Sequence, residues 1–232
     1  MNIIITRPLI DSEDLMGKLF SFGHKIIHVP TLKISKVEHD PIDPEKYDAF
    51  IFTSANAIRS LKLLKPDKNK LCFCVGAITE KIVRQQGYTN TISAGGTVNA
   101  LKNIIVNSEN LDKKKILAYI CGDNIASDLD RELIAEGFQI ERIINYNSKK
   151  IKELNEDTNK LIKNHPPDII LVYSKRSAES FIELVKKYSL NGLMTESRVM
   201  CISEKVLNVL KQTGWKRLEI FEAGEELTKL KK

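Results

Sequence analysis

DAFIFTSANAIR, residues 48–59, sets an apolar run against a hydroxyl pair and then a helix-forming tail. Ala49 to Phe52 shows no alternation of apolar and polar residues, the pattern of a strand covered on both faces in a parallel sheet. Ser54 stands where a helix starting at Ala55 needs an N-cap. A strand that stops there and a helix that begins at once leave backbone N–H groups at the positive end of the helix dipole. Such a place suits a carboxylate or phosphate.

The alternation continues on both sides of this junction. Upstream, residues 3–6 read as a strand, 11–22 as a helix stopped by Gly23, and 25–29 as a strand. Downstream come strand 71–75, helix 77–86 closed by Gly87, strand 91–93, helix 98–106, strand 115–120, helix 125–136 closed by Gly137, and strand 139–144. The last third repeats the scheme with helix 153–164, strand 168–173, helix 176–188, strand 198–202, helix 204–213, strand 217–221 and a short helix from Glu225. Two polar stretches interrupt it, residues 30–45, with a brief extended piece at 32–34, and residues 146–152; both read as connectors. Strands and helices in strict alternation imply parallel sheets covered on both faces.

An internal echo divides the pattern in two. Asp48 and Ser54 correspond to Asp168 and Ser174, Cys74-Val75-Gly76 to Cys201-Ile202-Ser203, Gly87 to Gly214, Ala94-Gly95 to Ala223-Gly224, and Gly23 to Gly137. A period this long marks a duplication of one α/β unit rather than a solenoid.

With 232 residues and 42% hydrophobic content, the chain has enough apolar surface for one large or two small cores. No apolar run reaches the length of a membrane span and MNIIITRPL lacks a basic n-region, so the expectation is a cytoplasmic protein without a membrane partner. Cys72, Cys74, Cys121 and Cys201 fall in or at the ends of expected strands, as buried thiols would. The net charge of +6 favours an anionic partner, although most lysines, including Lys113–Lys115, Lys149-Lys150, Lys186-Lys187 and Lys229–Lys232, fit a solvated surface.

Open parallel sheets bind ligands beyond the carboxyl ends of their strands. The residues in that position are Thr6-Arg7, Thr53-Ser54, Gly76, Gly95-Gly96-Thr97, Cys121-Gly122-Asp123, Ser174, Ser203 and Ala223-Gly224. Each alone could be a cap or a tight turn; together they form a string of N–H and O–H donors suited to a ligand with several carboxylates. Arg7 adds a planar fork for one of them, or a salt bridge. Tyr146, just past a strand, could reach a cleft with its phenol or simply pack. Cys72-x-Cys74 has no second pair and the four histidines no nucleophile motif beside them, so neither metal binding nor nucleophilic catalysis is expected. Absent phosphate-loop motifs and few aromatic residues argue against nucleotides and nucleic acid, although basic charge keeps a salt-sensitive nucleic-acid binder as a rival.

The succession IIITRP, HVPTLKI, DAFIFTSANAIRSL, CVGAITEKIVRQQGY, SAGGTVNAL, LAYICGDNIASDLDREL, INYNS, IILVYSKRSAESF and VMCISEKVLNVLKQTGW resembles the uroporphyrinogen-III synthase family over nearly the whole chain. The resemblance implies two similar α/β domains joined by two extended connectors and facing an interdomain cleft, with residues 1–36 and 148–232 as one domain and 37–147 as the other. It implies a cofactor-free monomer that closes hydroxymethylbilane, a linear tetrapyrrole with eight carboxylates, to uroporphyrinogen III. Ring D is inverted by way of an azafulvene and a spiro intermediate. Thr53, Ser54, Gly76 and Ser174 match family cleft positions, and Tyr146 matches a tyrosine that assists loss of the hydroxyl. Gly95, Gly96, Thr97, Gly122, Ser203 and Arg7 complete the expected substrate-binding set. Tyr173 stands where the family often has threonine, and Cys121-Gly122 where arginine-glycine is common. A non-catalytic tetrapyrrole-binding module of the same fold is the alternative.

Overall fold

The computed structural model describes residues 1–109, 111–222 and 224–230. Ala223, placed among the strand-end residues, and Lys231-Lys232, at the end of the terminal lysine run, lie outside the described residues.

The chain opens with β1 (Asn2–Ile5), α1 (Glu13–Ser21), β2 (Lys25–His28) and β3 (Leu32–Lys36). It goes on through β4 (Ala49–Phe52), α2 (Ala55–Arg59), β5 (Leu71–Cys74), α3 (Ala77–Gln85), β6 (Thr91–Ser93), α4 (Val98–Val106), β7 (Ile116–Gly122), α5 (Leu129–Ala135) and β8 (Gln139–Lys150). It closes with α6 (Glu156–Asn164), β9 (Ile169–Val172), α7 (Lys175–Lys187), α8 (Asn191–Met194), β10 (Arg198–Cys201), α9 (Glu204–Leu210), β11 (Arg217–Ile220) and α10 (Glu226–Leu230). By contacts the chain divides into two units, Met1–Lys33 with Lys149–Lys232, and Ile34–Ser148.

In the first unit five parallel strands lie in the order β11-β10-β9-β1-β2. The chain leaves β1 outward to β2 and returns on the other side through β9, so the direction of winding reverses between β1 and β9. That reversal opens a crevice at the carboxyl ends of the two strands. Ile3, Ile4 and Ile5 of β1 and all four residues of β9 are buried, which accounts for their unbroken apolar sequence. One face is filled by α7, whose Ala178, Phe181, Leu184 and Val185 recur at helical spacing, with Trp215 against Phe181. The other face is filled by Leu19, Tyr173, Met200, Phe221 and Leu230.

In the second unit the parallel strands run β8-β7-β4-β5-β6, with β3 outside β8. Position by position this is the first sheet again: β4, β5 and β6 stand where β9, β10 and β11 do, and β7 and β8 where β1 and β2 do. The pairs Ser54/Ser174, Gly87/Gly214 and Gly23/Gly137 thus occupy equivalent turns, and these four glycines share a positive φ. The winding reverses between β4 and β7.

Each polar stretch contains strand, in the first at and just beyond the extended piece expected at 32–34. Residues 32–36 form β3, and β8 continues for 12 residues through the segment expected to be a connector. Val37 N–H donates to the Asn145 carbonyl at 3.0 Å and Ile151 N–H to that of Thr31 at 2.9 Å, so β3 runs antiparallel to β8. The polar side chains there concealed it because an outer strand needs apolar residues on only part of its surface. α5 starts at Leu129 and not at residue 125, behind Asp128. α6 starts at Glu156 because the Asn155 side chain accepts the Thr158 N–H at 2.7 Å, a cap that fixes the first turn. The one-turn α8 had no periodic signal in the sequence.

Candidate functional site

Every expected donor within the described residues lies at a strand's carboxyl end or a helix start, and each unit assembles its own set. In the second unit Ser54 caps α2, its hydroxyl accepting the Asn56 N–H at 3.2 Å. Thr53 pairs with the Tyr119 hydroxyl of β7 at 3.1 Å, which joins the two strands flanking the winding reversal. Burial pushes the Tyr119 phenol up to about 12, with the Thr53 bond opposing and Cys121 and Tyr146 adding to it, so it stays protonated. Gly76 begins α3 without a side-chain cap. A Cβ on it would stand 3.1 Å from the Gly96 Cα, and Gly96 N–H donates to the Val75 carbonyl at 2.7 Å. Gly76, Gly95 and Gly96 therefore make one close turn, and Gly95 and Gly96 take positive φ of 70° and 109°. Thr97 follows and caps α4 through the Ala100 N–H at 3.1 Å.

Gly122 and Tyr146 are brought face to face. β7 and β8 slip register between Cys121 and Gly122, so that Cys121 pairs with Ile144 and Gly122 with Tyr146. The bulge at Asn145 turns the Tyr146 ring onto Gly122, where a Cβ would meet the ring at 2.6 Å. Tyr146 thus stands inside β8, not past its end as expected, and is 8% exposed. Asn145, fully buried, donates from Nδ2 to the Ala57 carbonyl at 2.6 Å and ties the bulge to α2; its Oδ1 has no partner among the described residues. The Asp123 carboxylate accepts the Ser148 N–H at 3.1 Å, and the Asp123 N–H donates to the Tyr146 carbonyl at 3.0 Å.

In the first unit Ser174 caps α7 by accepting the Ser177 N–H at 3.0 Å. Beneath it lies a buried hydroxyl relay. The Ser177 hydroxyl donates to Thr6 Oγ1 at 3.1 Å, Thr6 donates to the Leu171 carbonyl at 2.8 Å, and Thr31 meets Ser177 at 2.6 Å. This relay locks the α7 start to the end of β1, and its residues were not anticipated beyond Thr6. Serine and threonine carry no signal in sequence until the fold brings them together. Ser203 starts α9 without a side-chain cap and has no other expected site residue bonded to it.

Arg7 lies over the Tyr173 ring, its Cζ 4.5 Å from the centroid. Such stacking contributes about 0.5–2 kcal/mol, depending on solvent access. The expected alternative for Arg7, a salt bridge, is not formed with any described residue. Burial raises the Tyr173 phenol well above its usual range, with the Glu226 carboxylate adding and Arg7 opposing. The hydroxyl feels both groups, yet neither meets it in hydrogen-bond geometry. Glu226 is itself 6% exposed and accepts the Gly224 N–H at 2.9 Å.

A hollow of about 530 Å³ lies at the opposite, amino end of the second sheet, lined by Asp48, Asp67, Lys70 and Asn90 among others. Its lysine is spent on Asp67 at 3.2 Å and on the Tyr47 carbonyl at 2.8 Å, and its carboxylates would repel a polyanion. The four cysteines are buried, and burial pushes the Cys74 thiol up to about 12 and raises the others. No described helix is long and apolar enough to cross a membrane.

No curated protein matches the chain. Among solved structures, it resembles uroporphyrinogen-III synthetase from Helicobacter pylori 26695 with a TM-score of 0.67 at 16% identity, over 99% of this chain and 96% of that one. It also resembles a mutant uroporphyrinogen III synthase from the extremely thermophilic bacterium Thermus thermophilus with a TM-score of 0.61 at 14% identity, over 100% of this chain and 97% of that one. At such identities these likenesses establish a shared fold. The family model of uroporphyrinogen-III synthase HemD matches residues 13–222, from α1 to just past β11. The chain therefore belongs to the uroporphyrinogen-III synthase family, the cyclising lyases of tetrapyrrole biosynthesis.

Proposed function

We propose that this chain closes hydroxymethylbilane to uroporphyrinogen III through the residues just described. It does so as a cytoplasmic monomer without cofactor, metal or nucleic-acid partner. The observation that carries the reading is the match to the family over residues 13–222, in which nearly all the strand-end donors of both sheets fall. Ser54, Gly76, Gly95, Gly96 and Thr97 of the second unit, and Arg7, Ser174 and Ser203 of the first, hold substrate carboxylates through N–H, O–H and guanidinium donors. Thr53 and Gly122 shape the floor around Tyr146, whose phenol assists departure of the terminal hydroxyl. Among these groups none is a strong nucleophile. That suits a substrate able to close unaided, for which the protein's task is to hold one conformer and favour attack from the substituted carbon of ring D.

The test is to supply freshly generated hydroxymethylbilane, oxidise the products and separate the isomers. Type III product above the spontaneous background supports the reading; only type I, at the spontaneous rate, overturns it. Tyr146→Phe is expected to lower kcat about tenfold or more while leaving the melting temperature within a few degrees, since the ring on Gly122 is retained. Unchanged kcat would reduce Tyr146 to packing. Equilibrium sedimentation at the 26.3 kDa of one chain is the expected outcome for the monomer.

A further inference from the structure

Arg7 is held in a way that leaves it unspent. Its guanidinium carbon lies over the Tyr173 ring, 4.5 Å from the centroid, and a guanidinium laid flat on a ring keeps its in-plane N–H donors for other partners. No carboxylate among the described residues takes those donors. An acid does stand near: Glu226 raises the same Tyr173 phenol from the buried start of α10 and accepts the Gly224 N–H at 2.9 Å on one oxygen, yet no ion pair joins it to Arg7. Tyr173 cannot swing away. It is 9% exposed, sits edge-on to Phe221 at 5.6 Å between ring centroids, and follows β9 directly. The Arg7 backbone is fixed as well, because His28 Nε2 donates to its carbonyl at 2.9 Å. Both residues lie where the winding of the first sheet reverses, the end of a parallel sheet at which ligands collect.

We infer that Tyr173 is a positioning residue that presents the edge of Arg7 as a two-pronged clamp for one carboxylate of the substrate. This rests on the proposed tetrapyrrole reading and adds to it the pairing of ligand group to residue. The Tyr173 ring face is the operative part and its hydroxyl is not. The arginine meets its carboxylate equally in ground and transition states, so its loss falls on KM and not on kcat.

The test measures isomer-resolved steady-state kinetics together with equilibrium binding of uroporphyrin, whose eight carboxylates report the clamp without any turnover. Arg7→Lys, which keeps the charge but loses the planar fork, and Tyr173→Leu, which removes the face, are each expected to raise KM about tenfold with kcat within about twofold, and to weaken uroporphyrin binding alike. Tyr173→Phe is expected to retain wild-type KM, and Arg7→Lys combined with Tyr173→Leu to be no worse than either alone. An unchanged KM in Arg7→Lys overturns the clamp, whether or not Tyr173→Leu folds. A loss in Tyr173→Phe as large as in Tyr173→Leu, or additive losses in the double variant, overturns the role of the ring face. If the wild-type chain binds uroporphyrin but makes no type III isomer, the catalytic reading fails while the binding series still decides the clamp.

Discussion

Gly122 has no room for a methyl group. Its ideal Cβ would stand 2.6 Å from the Tyr146 ring, and both residues belong to strands whose pairing fixes their spacing. Gly122→Ala is expected to cost about 1–3 kcal/mol by overpacking, read as a fall in melting temperature of roughly 2–10 °C. A variant that melts with the wild type would show that the ring shifts freely and that the contact does not position the phenol. Local chemistry of this kind is legible in a sequence only in part. Ser54 and Ser174 announced themselves as caps because a cap bonds within three residues of itself. The Arg7 and Tyr173 stack, and Glu226 beside it, were hidden because they join the two ends of the chain, and no short-range pattern encodes such a meeting.

α7 ties one face of the first sheet to the end of β1. Four apolar residues on one face meet the sheet, and its start is tied to β1 by the Thr6, Thr31 and Ser177 hydroxyls. Ser174→Ala removes the cap on that start and is expected to cost about 1 kcal/mol, with a melting shift of roughly 2–4 °C. If Ser174 also contacts substrate, KM rises beyond what lost stability can explain; an unchanged KM would confine it to capping. The strands of the two sheet centres were readable because burial on both faces writes four apolar residues in a row, as in AFIF and IILV. β3 was readable only as the short extended piece at 32–34, and the far half of β8 was not, since NYNSKK follows no apolar rule and its place is set by hydrogen bonds to a partner strand. The fold class follows from the alternation of elements even though β3 and β8 run further than their apolar residues show.

Four buried thiols, one in the first unit and three in the second, give the whole molecule a shared sensitivity to base. In the unfolded chain a thiol ionises near pH 8.5, whereas in the folded state burial holds the Cys74 proton to about 12 and shifts the other three in the same direction. Above about pH 8.5 the unfolded state therefore carries fewer protons than the folded one, and stability falls as pH rises toward the folded values. Each thiol contributes up to about 1.4 kcal/mol per pH unit in that window. The melting temperature is expected to hold between about pH 7 and 8 and to drop steeply from about pH 9 to 10.5. The drop should be shallower in Cys74→Val, and equal slopes in the two proteins would show that this thiol does not contribute. The duplication visible in the sequence is matched by two sheets with the same spatial order but different chain order, which repeated residues alone could not have disclosed.

That permuted order makes the second unit separable. Its chain comes in along β3 and goes out along β8, strands bonded through Val37 and Asn145, while the first unit has the bond from Ile151 to Thr31 just beyond its own break. A segment whose two ends emerge side by side can be spliced into a host, or cut out again, without opening either core. Residues 34–148 made as a free fragment are expected to fold cooperatively. Residues 1–33 joined to 149–232 by a few glycines are expected to do the same, which would make each unit a module able to exist without the other.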